Sequence, residues 1–364
     1  MVEKELLGKE LSMMKSVKSG KYRILKFCAV LIFSMAFLSG CGAKKIETST
    51  IFAMDTIMEL QIEGDQELLT EAEGKIRSLE GLLSVTDEDS DIYKLNENST
   101  FEISDTTADI MSKALNMCDR TGGALDISIY PVLKAWGFTT GEYRVPEDAE
   151  LESLKTLVDY RQIQLLDNGS DNCSRASIPA GMQVDLGSVA KGYTSSMLYD
   201  FFREKGVKSG LINLGGNVQC IGTKPGGEPW KVAIKSPFPD TRSGIYGVLE
   251  ASDIAIITSG GYERFFEEDG VTYWHILDPE TGRPAHSGLA SVTIAGRDGL
   301  TCDALSTALF VKGLDEATRI WKESSDFEAI FITEDGEVYI TEGLSSSFTL
   351  SSEYSSAAVH IITK

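Results

Sequence analysis

The sequence predicts an α+β fold of mixed, largely antiparallel sheets with helices packed against them, and three observations carry that expectation. Short β-branched and aromatic runs follow one another directly, as at 230–235, 247–251 and 254–258, so neighbouring strands are expected to pair antiparallel. Amphipathic helical stretches are interspersed without the regular strand–helix–strand rhythm of a parallel sheet. The 42% hydrophobic content over 364 residues is ordinary for a globular chain with a substantial core, in one large domain or two small ones.

Taken in order, residues 51–62 alternate at Met58, Leu60 and Ile62 and read as a half-buried strand. Leu69, Ala72, Ile76, Leu79 and Leu83 recur at helical spacing, which predicts an amphipathic helix over 67–83. Residues 86–91 form an acidic loop that lacks the Gly and Glu positions of a calcium-binding loop, so it reads as solvated. A helix over 106–121 should stop at Gly122-Gly123, a natural C-cap. Residues 123–131 read as a turn and a strand, 146–158 as a polar helix with Pro146 in its first turn, and 167–177 as a loop of turn formers. Residues 184–193 read as a strand, a tight Gly turn and a helix continuing to about 205. The 211–214 strand enters a Gly215-Gly216 turn, and the strand at 254–258 enters the turn 259–264. Further on, 271–276 is a strand running into the turn 278–282, and 303–311 and 314–323 are helices separated by Gly313. Strands 329–333 and 338–341 join at Asp335-Gly336, a hairpin signal. The Ser-rich stretch 344–356 is expected to be weakly ordered.

The N-terminus is a different object. Lys15, Lys18, Lys21, Arg23 and Lys26 precede an apolar run, 27–38, that ends in Leu38-Ser39-Gly40-Cys41. Twelve residues span roughly 18 Å as helix, too short for a bilayer core, and the basic flank with a small-residue end is the layout of a signal peptide. The ending resembles a bacterial lipobox, which implies cleavage before Cys41 and lipidation of its thiol; an ordinary secretory signal is the alternative. The expected organisation is a signal at 1–40, a tether at 41–50, a domain at 51–345 and a tail at 346–364, with the protein lipid-anchored to the cell membrane on its extracytoplasmic side.

The chain carries 55 acidic and 34 basic residues, net −21, which argues against nucleic acid as a partner because phosphate contacts need clustered Lys and Arg. Removing residues 1–40 takes away seven basic and three acidic side chains, leaving 27 against 52, a net −25. An anionic substrate would therefore need a local cation. Cys118, Cys173, Cys220 and Cys302 form no Cys-x-x-Cys pair and have no His at ligand spacing, so a zinc site is not expected.

Chemistry concentrates between Tyr273 and Leu309. His275 sits at the mouth of a strand, and Asp303 and Thr307 stand four residues apart on one helical face, roughly 6 Å between Cβ atoms. A carboxylate and a hydroxyl so placed can share one hard cation whose other positions go to a backbone carbonyl, water and phosphate oxygens. The same pair equally suits a helix start, where Asp and Thr cap and bind nothing. Upstream, the helix beginning near Gly187 offers unpaired N–H groups and Lys191 to a phosphate.

The pattern Trp274-His275-Ile276-Leu277-Asp278-Pro279-x-Thr281-Gly282-x-Pro284, followed by Asp303-Ala-Leu-Ser-Thr307-Ala, resembles the ApbE family of FAD:protein FMN transferases. The blocks Phe52-Ala-Met54-Asp55-Thr56, with Asp55 where Gly is more usual, Gly123 to Pro131 with Trp136-Gly137-Phe138, Val184 to Tyr193, and Ser259-Gly-Gly-Tyr-Glu-Arg264 agree in order, so the resemblance runs from Phe52 to about Thr341. It implies an α+β fold with a dinucleotide cleft between sheet and helices. It implies that Met54, Thr86, Ala124, Leu125, Asp126, Asp185, Lys191, His275 and Ile276 border FAD, the substrate. Asp303, Thr307 and the Ser188 backbone oxygen would hold Mg²⁺, with Mn²⁺ as the alternative, and Arg264 would contact phosphate or serve the scaffold, unless it only makes a surface ion pair. The implied activity transfers FMN to a Thr or Ser hydroxyl of an acceptor flavoprotein, expected to be an outward-facing membrane redox subunit, with release of AMP. His275, with an ordinary pKa of about 6.5, is the candidate base and Asp303 its catalytic partner through the metal; a purely structural His275 is the alternative. An FAD pyrophosphatase yielding FMN and AMP, and a non-catalytic FAD-binding lipoprotein, stay open.

Overall fold

A strand that is apolar on successive residues must be covered on both faces, and Leu289–Gly296 and Phe327–Thr333 are such strands, buried at nearly every position. In the computed structural model, which describes residues 45–167, 174–239 and 241–364, they lie inside a nine-stranded sheet. Its order is Ile46–Ala53, Thr56–Glu63, Gly210–Leu214, Asn217–Ile221, Ala255–Gly260, Leu289–Gly296, Phe327–Thr333, Val338–Thr341 and Val359–Ile362. Each adjacent pair is antiparallel except the last, which is parallel. The α+β architecture read from the sequence is the one observed.

Side-chain alternation divides the core between two layers. Ala255, Ile257, Val292, Ile294, Ala329 and Phe331 pack with buried residues of the helices Asp105–Arg120, Gly299–Lys312 and Leu314–Glu323. Their neighbours Ile256, Ala295, Ile330 and Ile332 pack instead on a three-stranded sheet of Phe348–Leu350, Ile245–Ala251 and Trp230–Lys235. The helix Gln66–Leu83 buries Leu69, Ala72, Ile76, Leu79 and Leu83, the stripe its periodicity predicts. With Leu198, Phe201 and Phe202 of the helix Gly187–Glu204 it covers the inner face of the first two strands.

Five expectations are corrected. Residues 51–62 are not one strand: Met54 and Asp55 both take positive φ, 47° and 59°, and reverse the chain into a two-residue hairpin between Ile46–Ala53 and Thr56–Glu63. The first of those strands begins at Ile46, so residues 46–50 of the expected tether belong to the sheet. Residues 123–131 lead through a turn into the helix Tyr130–Trp136, with Pro131 in its first turn where its missing N–H is harmless. The Ser-rich tail is structured, because backbone pairing and aromatic packing replace the apolar composition it lacks. Phe348–Leu350 pairs with Gly247–Leu249, the Tyr354 ring stacks on Tyr246 at 4.1 Å, and Val359–Ile362 closes the large sheet. Before the helix Gly187–Glu204, Gln183 makes only an isolated bridge to Ile129 in place of the expected strand. The signal peptide, Cys41 and Cys173 lie outside the described residues. Among the described residues no helix is long and apolar enough to cross a membrane.

Candidate active site

Two helices meet so closely that only glycine fits between them. A Cβ on Gly192 would stand 2.3 Å from the Gly299 carbonyl oxygen and 2.5 Å from Asp303 Cβ, and one on Gly299 would stand 2.4 Å from the Gly192 oxygen. This crossing brings Gly187–Glu204, with Ser188 and Lys191, against Gly299–Lys312, with Asp303 and Thr307. Asp303 is not a helix cap: that role belongs to Asp298, whose Oδ1 accepts the Thr301 N–H at 2.8 Å.

Asp303 is 5% exposed and makes no ion pair among the described residues. Its Oδ2 accepts the Gly192 N–H at 2.8 Å. In an α-helix that amide faces the Ser188 carbonyl, so the Ser188 oxygen and Asp303 Oδ2 flank one N–H. Burial holds the Asp303 carboxyl above its ordinary value, while the Lys191 charge, the Gly192 N–H and the Asn217 amide pull it back. Asn217 is itself buried, and its Nδ2 has no well-formed hydrogen bond. One turn along from Asp303, Thr307 Oγ1 lies 3.3 Å from Ser259 Oγ, which also sits 2.7 Å from Ser306 Oγ.

A buried carboxylate without a counter-ion, beside hydroxyl and carbonyl oxygens, is a hard-cation donor set, so these residues fit Mg²⁺ or Mn²⁺. Among the described residues no three His, Cys, Asp or Glu side chains cluster at metal-binding range. A single carboxylate leaves most coordination positions to water and phosphate.

His275 feels the charge of Lys191, as Asp303 does. Its main-chain N–H donates to the Arg264 carbonyl at 3.1 Å, and Nδ1 lies 3.2 Å from the same oxygen, which assigns the ring proton to Nδ1 and leaves Nε2 bare. Burial, then the charges of Arg264 and Lys191, push the imidazole down to about 4, so it is neutral at pH 7. Arg264 in turn lies 3.9 Å from Asp55 Oδ2 at the hairpin turn. That turn is held from below: the Met54 N–H donates to Glu80 Oε1 at 2.6 Å, and the Thr194 hydroxyl lies 3.9 Å from Met54 Sδ. Gly215, at φ 67°, packs on it so tightly that a Cβ would stand 2.1 Å from Thr56 Oγ1.

The remaining expected residues divide. Asp185 is drawn in by the charges of Arg264 and Lys191, and its Oδ1 accepts the Gly187 N–H at 2.9 Å. The first amide of that helix is therefore already occupied. Burial raises the Asp185 carboxyl against those opposing partners. The Asp185 N–H bonds the Ile127 oxygen at 2.8 Å, which ties the Ala124–Asp126 loop to the site. Asp126 turns its carboxylate into that loop, accepting from the Ser128 N–H and hydroxyl and the Tyr160 N–H. Its side chain is thereby a brace for the loop. Leu125 and Ile276 are buried, at 3% and 4% exposure. Thr86 is exposed on the loop after the Glu80 helix, its hydroxyl 3.2 Å from Ser84 Oγ. Sequence reading missed Asn217, Ser259 as a neighbour of Thr307, and Glu80. Ser259 had the only signal, its place in the Ser-Gly-Gly-Tyr-Glu-Arg turn. Cys118 and Cys220 are buried free thiols pushed up to about 12 by burial, and Cys302 is raised well above its ordinary value, so none is poised to react.

The profile of the ApbE family matches residues 54–331. An FAD:protein FMN transferase from Vibrio cholerae is 30% identical over 334 residues, spanning 88% of this chain and 97% of that one. One from Treponema pallidum is 31% identical over 283 residues, spanning 74% and 78%. Among solved structures, the ApbE protein of Thermotoga maritima superposes with TM-score 0.75 at 30% identity, covering 82% of this chain and 98% of that one. The flavin transferase ApbE of Vibrio cholerae superposes with TM-score 0.72 at 27% identity, covering 83% and 100%. With the family profile matched over residues 54–331 and the fold shared, this chain belongs to the ApbE family.

Proposed function

We propose that this chain is a divalent-cation-dependent transferase that moves FMN from FAD to a Thr or Ser hydroxyl of a target flavoprotein and releases AMP. The observation that supports it most is the buried, unpaired Asp303 carboxylate, set by the Gly192 contact beside Ser188, Lys191 and Thr307. The names of the Vibrio and Treponema relatives point the same way.

The Ser188 carbonyl, Asp303 and Thr307 would hold Mg²⁺ or Mn²⁺, which when bound would neutralise charge on the pyrophosphate oxygens. Lys191 would take a phosphate oxygen as a point charge. Met54, Thr86, Ala124, Leu125 and Ile276 would border the flavin, and Asp126 would hold their loop in shape. His275 is neutral with Nε2 free, the state a base requires, and it would take the proton of the acceptor hydroxyl. As that oxygen bonds the FMN phosphorus, the bond from that phosphorus to the bridging oxygen breaks, AMP departs with the electron pair, and the proton passes from Nε2 to AMP or water. In the same reading, cleavage before Cys41 and lipidation would tether the enzyme to the outer face of the cell membrane. An outward-facing redox subunit is the acceptor expected there.

Incubating the mature protein with FAD, Mg²⁺ and a Thr-bearing acceptor domain tests this. A mass gain of one FMN on the acceptor is the expected result. Free FMN alone would make the protein an FAD hydrolase, and intact FAD would make it a binder.

A further inference from the structure

We infer that Phe138 is a positioning residue for His275: its buried ring fixes the imidazole so that Nδ1 stays on the Arg264 carbonyl and Nε2 stays free for the acceptor hydroxyl. Phe138 is 7% exposed, and its ring meets the His275 ring edge-on, with centroids 6.3 Å apart and planes inclined at 66°. That is an arrangement aromatic pairs prefer. Nδ1 of the imidazole lies 3.2 Å from the Arg264 oxygen. A single hydrogen bond places one ring nitrogen but leaves the ring free to rock about that contact, because the torsion that turns an imidazole has a broad minimum. A second ring packed against it removes this freedom. His275 is only half-buried, so a reactant can still reach it.

The local sequence aims that ring. Trp136 ends the helix Tyr130–Trp136, and its indole N–H donates to the Gly282 carbonyl at 2.8 Å, in the turn that follows His275. Gly137 then turns the chain at φ 82°, where a Cβ would collide with the Glu142 carbonyl. Phe138 thus leaves a helix whose end is already tied to the segment after His275. Tyr143 and Phe266 pack on Phe138 in turn, at 5.7 and 5.8 Å, and stack on each other at 5.1 Å. Phe266 lies in the hairpin of Phe265–Glu268 and Val271–Trp274, and the Arg264–His275 pair closes the base of that hairpin. One aromatic group therefore holds both the imidazole and the strands that present it. The charges acting on His275 are Arg264, beside the hairpin, and Lys191, on the helix Gly187–Glu204. Phe138 brings no charge, so what it adds is the exclusion of water from one side of the ring. The role of His275 as base rests on the transferase reading above, whereas the ring contact does not.

The test is Phe138→Leu, read by NMR of protein labelled at histidine and by transfer kinetics with the Thr-bearing acceptor domain. The chain has three histidines, so His275→Gln identifies the His275 signal, and His286 and His360 report an intact fold. In Phe138→Leu the His275 titration midpoint should rise from about 4 by about one pH unit or more, and its nitrogen shifts should change from the Nδ1–H form to a mixture of tautomers. The kcat for transfer should fall about tenfold, with acceptor KM and FAD affinity within about twofold, and the same substitution should cost nothing further in His275→Gln. Phe138→Tyr, which keeps the ring, should return both kcat and midpoint toward those of the unsubstituted protein. If Phe138→Leu does not fold, Tyr143→Leu removes an exposed ring that backs Phe138 and should raise the midpoint in the same direction by less. An unchanged midpoint and tautomer in whichever of these two variants folds overturns the inference. So does an equal loss of kcat in the His275→Gln background, which would make Phe138 part of the scaffold alone. A protein that binds FAD but labels no acceptor defeats the transferase reading and leaves the NMR result to decide the ring contact, so the two failures are told apart.

Discussion

The two sides of the site are built in opposite ways. On one side two helices are locked backbone to backbone at Gly192 and Gly299, and Asp303 is sealed beneath them. On the other, the Met54–Asp55 turn is braced from beneath by Glu80, Thr194 and the close approach of Gly215 to Thr56, but its contact to Arg264 is an exposed 3.9 Å and the neighbouring Phe52 and Ile57 side chains are open to solvent. The difference follows the two halves of the proposed reaction. A pyrophosphate must be gripped in fixed geometry with its charge offset, which favours a rigid, dry wall. An acceptor hydroxyl must arrive and leave, which favours an open lip.

The sharpest way to break this contrast is Asp303→Asn. Transfer should fall by about a thousandfold or more, roughly 4 kcal/mol of transition-state stabilisation. Stability without metal should move the other way. A carboxyl held above its ordinary value by burial keeps its proton longer in the folded state, so folding loses stability as pH rises from the unfolded value through the folded one. At pH 7 the metal-free Asn variant should therefore melt no lower than the unsubstituted protein in calorimetry, and added Mg²⁺ with FAD should raise the melting temperature of the unsubstituted protein alone. A metal-free variant that melts lower would show Asp303 to be a structural brace.

His275→Gln probes the boundary between the two sides and should cost about a hundredfold in transfer, near 3 kcal/mol, with FAD affinity retained. Its pH signature has a definite sign. The folded imidazole resists protonation down to about 4, whereas the unfolded one takes its proton near 6.5. The unfolded chain thus binds more protons in that window, and stability drains away as pH falls from 6.5 toward 4. The raised carboxyls of Asp126, Asp185 and Asp303 act with the opposite sign at acid pH, so the comparison is between the variant and the unsubstituted protein. The Gln variant should lose less stability than the unsubstituted protein between pH 6.5 and 4. Equal losses would mean that His275 is not held neutral by its surroundings.

The same contrast explains how much could be read in advance. The rigid side was legible because periodicity and spacing encode it: the helix Leu314–Glu323 behind the Gly299–Lys312 helix, and Asp303 with Thr307 one turn apart. Its partners were not, since Asn217 and Ser259 reach that helix from strands distant in sequence and no local pattern announces them. The open side was hidden for a backbone reason. A two-residue hairpin is usually flagged by Asn-Gly or Asp-Gly, and here Met54 and Asp55 take positive φ without a glycine. The tail was misjudged from composition, although Phe348 and Tyr354 anchor it against the three-stranded sheet.

The mildest substitution examines that turn directly. Asp55→Gly relieves a left-handed φ of 59°, which Asp tolerates better than most side chains. It also removes an exposed contact to Arg264, worth 0 to about 1 kcal/mol, and frees the unfolded chain by a similar amount. These terms nearly cancel, so the melting temperature should shift by less than about 3 °C and transfer by less than about threefold. Asp55→Val should be worse by about 1 to 2 kcal/mol, because a β-branched side chain resists that conformation. A large loss of transfer in Asp55→Gly with stability intact would mean that the carboxylate itself, through Arg264, orients His275, and the lip would then belong to the rigid half of the site.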